Sequence, residues 1–354
     1  MNTENRISVM IGLSGGVDSA VAAALLVDEG FDVHAATLRL WHVAPEKTER
    51  VAARARAVAE ALDIPLQILE VRQRFYREVV LPFAETYARG ETPNPCMVCN
   101  PRLKFKAVLN AADKLGAYWI ATGHYARVRH RPDGPAQLLR ARSASRDQSY
   151  MLHRLTQPVL TRLRLPLGEL ADKADVRAVA RRLALPSADV RDSQDLCFLA
   201  GGDYRPLIEK LRPASFTPGP IIDEAGNVLG RHRGLPRYTV GQRSGLGLAA
   251  PGKLYVLELR PEENALVVAP AESLQKTGCR LRDVTFTRGA PPAPRFQAEV
   301  RIRYRAPLAA AEIEMLPDAA AHVRFVQPQR APAAGQSVVF YQGERVLGGG
   351  IIVR

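Results

Sequence analysis

The sequence predicts an α/β protein: an N-terminal parallel sheet covered by helices, then a small mainly β central domain and a C-terminal β-barrel. Three observations predict it. Short apolar runs alternate with helical stretches through the first third of the chain, as strands joined by helical crossovers do. From about Gly219 the texture changes to short alternating runs separated by turns, such as GPIID, EAGN, RYTVGQ and PEEN. From about Leu281 to Arg354 further alternating runs have the spacing of a closed barrel.

Taken in order, Arg6 to Leu13 reads as the first strand, a Gly-rich turn follows, and Asp18 to Glu29 has helical composition. Phe31 to Leu40 is a second apolar run, Thr48 to Leu62 a helix, and Leu66 to Val71 a third strand. A helix over Phe75 to Arg89 gives way to GETPNPCMVCNPRLKF, whose prolines and asparagines predict a loop. Lys104 to Leu115 returns to helix. Tyr118 to Thr122 is another buried strand, ended by Gly123, His124 and Tyr125, and residues 126–142 predict a hairpin around Pro132, Asp133 and Gly134. Near the C-terminus, Gln297 to Arg305, Ala311 to Met315, His322 to Val326, Ser337 to Tyr341 and Val346 to Val353 alternate as strands.

A chain of 354 residues implies two or three domains. With 47% hydrophobic and 24% charged residues it is neither mainly disordered nor fibrous. The apolar run Ala20 to Val27 is closed by Asp28 and Glu29, far short of the roughly 20 residues of a membrane span. No basic flank, apolar stretch and small-residue cleavage site follow one another at the N-terminus, so a cytoplasmic location is expected. Forty-nine basic against 36 acidic residues give a net charge of +13, which suits either a polyanionic partner or a solvated, arginine-rich surface. Four cysteines are too few for a disulfide scaffold, and the close pair Cys96 and Cys99 points to metal or redox chemistry.

Ser14-Gly15-Gly16-Val17-Asp18-Ser19 falls where a strand ends and a helix begins. Glycines there let the backbone turn tightly and aim its N–H groups at an anion, so a phosphate belongs in the loop. It is neither a Walker loop nor GxGxxG, since no GK[ST] follows. SGGVDS resembles the pyrophosphate loop (PP-loop) of the ATP pyrophosphatases, which split ATP to AMP and pyrophosphate by adenylating a substrate oxygen. That resemblance implies the reaction type but leaves amidation, lysidine formation and RNA thiolation open.

Cys96-Met97-Val98-Cys99 and, farther on, Cys197 in DSQDLCF separate these choices. Amide activation needs no thiol, whereas sulfur transfer needs a thiolate that attacks or carries a persulfide. With TPNPCMVCN, LKF, ATGHY, RDQSYML, DSQDLCF, TVGQRSGLG, RYR and VFYQGERVLGGGII in order along almost the entire length, the chain resembles the tRNA-specific 2-thiouridylase family. The resemblance implies a catalytic PP-loop ATP pyrophosphatase domain over residues 1–205, a small central domain over 206–275 and a tRNA-contacting barrel over 276–354.

Carried over position by position, it implies that Gly12, Leu13, Ser14, Gly15, Gly16, Val17, Asp18, Ser19, Leu38 and Gly123 hold ATP. Asn94, Pro95 and Cys96 would grip the target uridine. Cys99 takes the nucleophile position and Cys197 that of the persulfide carrier. His124, Arg146, Asp147, Gln148, Arg303, Tyr304 and Gln342 match tRNA-contacting stretches; on composition alone, Arg146 to Gln148 also suit a capped helix start. Alternation over Gln297 to Arg305 puts Gln297, Glu299, Arg301, Arg303 and Arg305 on one face, either an arginine row for phosphates or a solvated barrel face.

At Cys96 the familiar pattern of the family has aspartate, a proton acceptor. Cys96, Cys99 and Cys197 therefore also form a candidate ligand set for a [4Fe-4S] cluster with one open iron. Cys279 matches nothing and reads as structural. The implied enzyme, a tRNA-uridine 2-sulfurtransferase, adenylates the C2 oxygen of the wobble uridine with ATP and Mg²⁺ and replaces it with sulfur. Persulfide sulfur would come from a cysteine desulfurase or a sulfur carrier, with no membrane involved. The alternatives are another PP-loop ligase, against which the cysteines argue, and a non-catalytic RNA-binding iron–sulfur protein, against which the intact SGGVDS loop argues.

Overall fold

In the computed structural model, which describes residues 6–190, 196–199, 202–249 and 252–354, Ser8–Gly12 (β1) lies at the centre of a five-stranded parallel sheet. Val9, Met10 and Ile11 are fully buried because layers cover both faces of the strand, which explains an unbroken apolar run instead of alternation. Asp32–Arg39 (β2), Leu66–Glu70 (β3), Trp119–Thr122 (β4) and the short Leu163–Arg164 strand complete the sheet in the order β3-β2-β1-β4-Leu163–Arg164, every pairing parallel.

Val17–Asp28 (α1) follows β1 directly and is buried along most of its length, consistent with its Ala, Val and Leu composition. Pro45–Ala61 (α2) starts with proline in its first turn, where the missing N–H would have no partner anyway. Leu81–Ala88 (α3) continues from Arg72–Phe75 through a π-helical turn at Tyr76–Val80.

The expected loop after it is only partly a loop. Cys96–Cys99 (α4) form one helical turn that runs through a π-turn at Asn100–Lys104 into Phe105–Leu115 (α5). Asn94 Oδ1 accepts the Cys96 N–H at 3.1 Å and starts the turn. The wider ring, closed from Phe105 N to Asn100 O, accommodates Pro101, which has no N–H to give. Lys173–Arg182 (α6), opened by a reciprocal Asp172–Asp175 capping box, packs against α1.

The predicted hairpin forms as Ala126–Arg131 (β5) and Gly134–Arg140 (β6), but it also extends the C-terminal sheet. A small central sheet is built from Gly219–Ile222, Val228–His232, Tyr255–Arg260 and Ala265–Ala269. The barrel strands are Gln275–Phe286, Arg295–Arg301, Ala309–Leu316, Ala320–Arg330, Ser337–Gln342 and Arg345–Ile352. Pairing of the first with the last closes the six into a barrel. Leu139 of β6 pairs with Arg345, and Arg140 N donates to Glu344 O at 2.8 Å, so the N-terminal region and the barrel share one hydrogen-bonded sheet.

The run expected over Gln297 to Arg305 ends as a strand at Arg301. Arg303 to Arg305 lie in the bend that follows, so the arginine row does not form. Arg301 instead turns inward, where its Nη1 is 3.0 Å from Asp147 Oδ2. Among the described residues, no helix is long and apolar enough to cross a membrane.

Candidate active site

The sheet order reverses between β1 and β4, and crevices at such switch points receive ligands beyond the carboxyl ends of parallel strands. Gly12 ends β1, Gly123 follows β4 and Leu38 lies near the end of β2, so these three predicted residues meet at one edge of the sheet. Between β1 and α1 the loop turns at Gly15, and Gly16 caps α1 in extended conformation with no side chain satisfying the first helical N–H groups. These donors and the helix dipole favour an anion. Ser14 is exposed, and its hydroxyl is 3.0 Å from that of Ser19, which donates to Gly16 O and accepts from Ser14 N. Leu13 and Val17 are buried and anchor the loop from below.

Gly123 has a steric reason to be glycine. A Cβ there would lie 2.7 Å from Asp18 C and Ser19 N, so only a bare backbone permits β4 to close against the phosphate loop. Asp18 is held by two residues the sequence reading left unassigned. Tyr125 donates its hydroxyl to Asp18 Oδ1 at 2.6 Å, and Lys173 Nζ donates to the same oxygen at 2.5 Å. Tyr125 belonged to the ATGHY motif, whereas no local pattern marked Lys173.

The cysteines converge despite their distance in sequence. Cys99 is buried and Cys197 half-buried in one apolar cluster with Phe75, Phe198 and the end of β2 at Leu38 and Leu40. Asp192, Ser193, Gln194 and Asp195 of the DSQDLCF segment lie outside the described residues. Burial pushes the Cys99 thiol up to about 12, against the pull of Lys104, with the charges of Cys197 and Cys96 adding to the rise. Burial likewise raises Cys96, again opposed by Lys104. Burial would lower Lys104 itself, but the neighbouring Cys99, Cys197 and Cys96 outweigh it and hold the ammonium charged. The charge of Lys104 thus acts on Cys96 and Cys99, which its place in LKF did not reveal.

Asn94 and Asn100 flank the turn and fasten it to Met151, Asn94 through the sulfur at 3.5 Å and Asn100 through the carbonyl at 3.0 Å. Pro95 is buried. Met97, Tyr150, Met151 and Tyr304 share a second cluster, which brings the RYR segment to the cysteine turn. His124 stacks on Phe105 at 5.7 Å and is hydrogen-bonded to Thr122 Oγ1 at 2.8 Å. Burial, with help from Lys104, lowers it to about 3, so the ring is neutral near pH 7.

The RDQ stretch divides by role. Arg146 is exposed, but Gln148 is bound to the Tyr125 backbone through both its N–H and its side-chain oxygen, and the Asp147 carboxylate is fully buried. Asp147 accepts from Arg301, Arg140 and the N–H groups of Ala141 and Ser149, which leaves it a structural hub rather than a side chain facing a ligand. Arg303 is exposed and donates to Arg330 O at 2.6 Å. Gln342, exposed at the tip of the last hairpin, accepts from Arg345. Cys279, on the first barrel strand, packs against the barrel core, and burial pushes its thiol up to about 12.

Gly-rich backbone and unsatisfied helix N–H groups fit ATP phosphates. The thiols fit a cluster less well: among the described residues no three His, Cys, Asp or Glu side chains are disposed to hold a metal ion.

Residues 7–201 match the family described as tRNA methyl transferase HUP domain, 207–270 the tRNA methyl transferase PRC-barrel domain and 276–352 the aminomethyltransferase beta-barrel domain. The tRNA-specific 2-thiouridylase MnmA of Chloroflexus aurantiacus is 44% identical over 354 residues, covering 98% of this chain and 98% of the relative. That of Moorella thermoacetica is 45% identical over 355 residues, covering 97% and 98%. Among solved structures, the U34-tRNA thiolase NcsA from Methanococcus maripaludis with its [4Fe-4S] cluster is 17% identical at a TM-score of 0.35, covering 59% of this chain and 65% of that one. That likeness is too distant to bear on the site. The domain descriptions speak of methyl transfer and the relatives of thiolation, and near-complete coverage at this identity gives the relatives more weight: the chain belongs to the tRNA-specific 2-thiouridylase family.

Proposed function

We propose that the protein uses ATP to adenylate the C2 oxygen of the wobble uridine of tRNA and then replaces that oxygen with sulfur, giving 2-thiouridine, AMP and pyrophosphate. The observation that carries this reading is the shared packing of Cys99 and Cys197 against the end of β2, beside the phosphate loop's edge of the sheet. Uridine oxygen is a poor leaving group, and transfer of AMP to it lets it depart on a phosphate. The loop Gly12 to Ser19 would hold the polyphosphate, Leu38 and Gly123 would flank the nucleotide, and Mg²⁺ would travel with the phosphates as charge neutraliser.

Cys197 receives sulfur as a persulfide from a cysteine desulfurase or carrier. The Cys99 thiolate attacks Sγ of Cys197, the inner sulfur of the persulfide, so that the Sγ–S bond breaks, a Cys99–Cys197 disulfide forms and the outer sulfur leaves as hydrosulfide. Hydrosulfide adds to the activated C2, AMP leaves with the oxygen, and an external dithiol reduces the disulfide. Lys104 favours the thiolate, offsetting part of the cost of burial. Asn94, Pro95 and Cys96 would hold the flipped base, with His124, Arg146, Tyr304, Arg303 and Gln342 on the RNA. This route uses two thiols and asks nothing of a cluster. Mass analysis of nucleosides from wobble-uridine tRNA, after incubation with protein, ATP and a persulfide source, tests it; a sulfur-for-oxygen exchange is expected, and unchanged uridine removes the reading.

A further inference from the structure

The cysteine turn is held from outside its own domain. Thr92, at the entrance to TPNPC, donates its N–H to Ala334 O at 2.8 Å and accepts at its carbonyl from Gln336 Nε2 at 2.7 Å. Both partners lie on the barrel, in the link between its fourth and fifth strands. Next door, Glu91 Oε2 accepts from Arg282 Nη2 of the first barrel strand at 3.1 Å. Thr92 Oγ1 also donates to Thr239 Oγ1 of the TVGQ segment at 3.4 Å, so one residue is touched by all three parts of the chain.

The barrel link is itself a fixed frame. Gly335 N donates to Ile352 O at 2.9 Å, Ile352 N to Gln336 O at 2.8 Å, and Ala331 N to Leu274 O at 2.8 Å. Gly335 has φ of +88°, and a Cβ on it would sit 2.9–3.0 Å from Thr92 N, C and O. Both the backbone conformation and the close approach require glycine. Beyond Thr92 the chain is stiff: Pro93 and Pro95 fix φ, and Asn94 accepts the Cys96 N–H. An orientation imposed at Thr92 is therefore carried to Cys96 and Cys99 with little slack.

We infer that the barrel link Ala333–Gln336 positions the cysteine turn, with Gln336 as a positioning residue for sulfur transfer. The barrel then does more than carry RNA: displacing it would move the nucleophile. The inference rests on the proposed role of Cys99, and its test separates the two. Gln336→Ala removes the donor to Thr92 O, and Gln336→Glu places a carboxylate against that carbonyl. Two readouts are compared with wild type: iodoacetamide labelling of Cys99, followed by peptide mass analysis, and single-turnover 2-thiouridine formation beside pyrophosphate release.

Labelling should quicken several-fold in Gln336→Ala and further in Gln336→Glu. Thiouridine formation should fall roughly tenfold or more, the scale of a small misplacement of a reacting group, with pyrophosphate release and thermal unfolding close to wild type. Gln336→Asn, keeping a shorter amide, should recover part of the rate. Unchanged labelling in both variants overturns the clamp, as does faster labelling without loss of thiolation, or an equal loss of pyrophosphate release. Failure of the Cys99 reading itself would appear separately, as wild-type thiolation in Cys99→Ala.

Discussion

Lys173 Nζ lies 2.5 Å from Asp18 Oδ1, tying the first turn of α6 to the phosphate loop. Lys173 is buried, so its ammonium needs that carboxylate, and the Tyr125 hydroxyl shares it at 2.6 Å. Asp18→Ala removes this ion pair between α6 and the loop, and with Asp18 at 34% side-chain exposure the cost in stability should be modest, about 1 kcal/mol. Pyrophosphate release in the presence of tRNA should fall about a hundredfold or more, as when one preorganised electrostatic contact is removed, while tRNA affinity survives. Ser14→Ala should lose adenylation in the same way. Pyrophosphate release at the wild-type rate in Asp18→Ala would refute the loop assignment.

Much of this was legible in the chain itself. SGGVDS between an apolar run and an alanine-rich helix marks the strand–loop–helix unit because glycine and helix composition are local signals. The barrel was legible because alternation survives in strands such as Ala309–Leu316 and Ala320–Arg330, although Ser337–Gln342 and Arg345–Ile352 are buried almost throughout. What escaped depends on distant pairing. Lys173 meets Asp18 only after α6 folds onto α1, and no spacing announces it. Alternation across Arg301 to Arg305 looked like one strand, but the chain bends after Arg301, whose charge is spent on Asp147. Cys96 to Cys99 looked like loop because of flanking prolines, while the Asn94 side chain and a π-turn make a helical turn there.

The two arginines of that bend should behave in opposite ways. Arg303 is exposed, and its removal should weaken binding to all cognate tRNAs and flatten the salt dependence by about one unit of slope. Arg301 pairs with a carboxylate that has no exposure but is also held by Arg140 and two backbone N–H groups, so Arg301→Ala should cost about 1.5–3 kcal/mol of stability with the salt slope unchanged. Filter binding over a salt series and denaturant unfolding separate them. An unchanged slope in Arg303→Ala would return this bend to an ordinary solvated surface.

Stability should be flat from about pH 6.5 to 9 and fall on both sides. His124 and His153 are each lowered by burial from 6.5 to about 3, so the unfolded chain binds their protons more readily. Their contribution is complete above pH 6.5 and is lost as pH falls toward 3. Cys99 and Cys279 are raised by burial from 9.0 to about 12, so the folded chain keeps their protons longer; that contribution is complete below 9 and lost as pH rises toward 12. Unfolding temperatures across this range should show both shoulders. His153→Gln should shallow the acid side, and an identical acid slope in that variant would contradict the assignment.

The cysteines give the sharpest test, because the two-thiol relay and a three-ligand cluster make different demands on Cys96. The relay needs Cys99 as attacker and Cys197 as carrier, so Cys99→Ala and Cys197→Ala should each abolish thiolation while ATP is still cleaved to AMP on tRNA. Cys96 is half-buried at the start of the turn and takes no part in the sulfur–sulfur exchange, so Cys96→Ser should keep most of the rate. A cluster losing one of three thiolates would instead become unstable and inactive. Anaerobic purification with assays for iron and acid-labile sulfide, run beside Cys96→Ser turnover, distinguishes them. Iron-free protein with full activity is the expected result. Iron in stoichiometric amount together with a dead Cys96→Ser variant would replace the relay by the cluster, and wild-type activity in Cys99→Ala or Cys197→Ala would remove both. The raised Cys99 thiol adds a second reading of the same chemistry: below about 12 its thiolate fraction grows about tenfold per pH unit, so single-turnover sulfur transfer at saturating persulfide should climb from pH 7 to 9 without levelling.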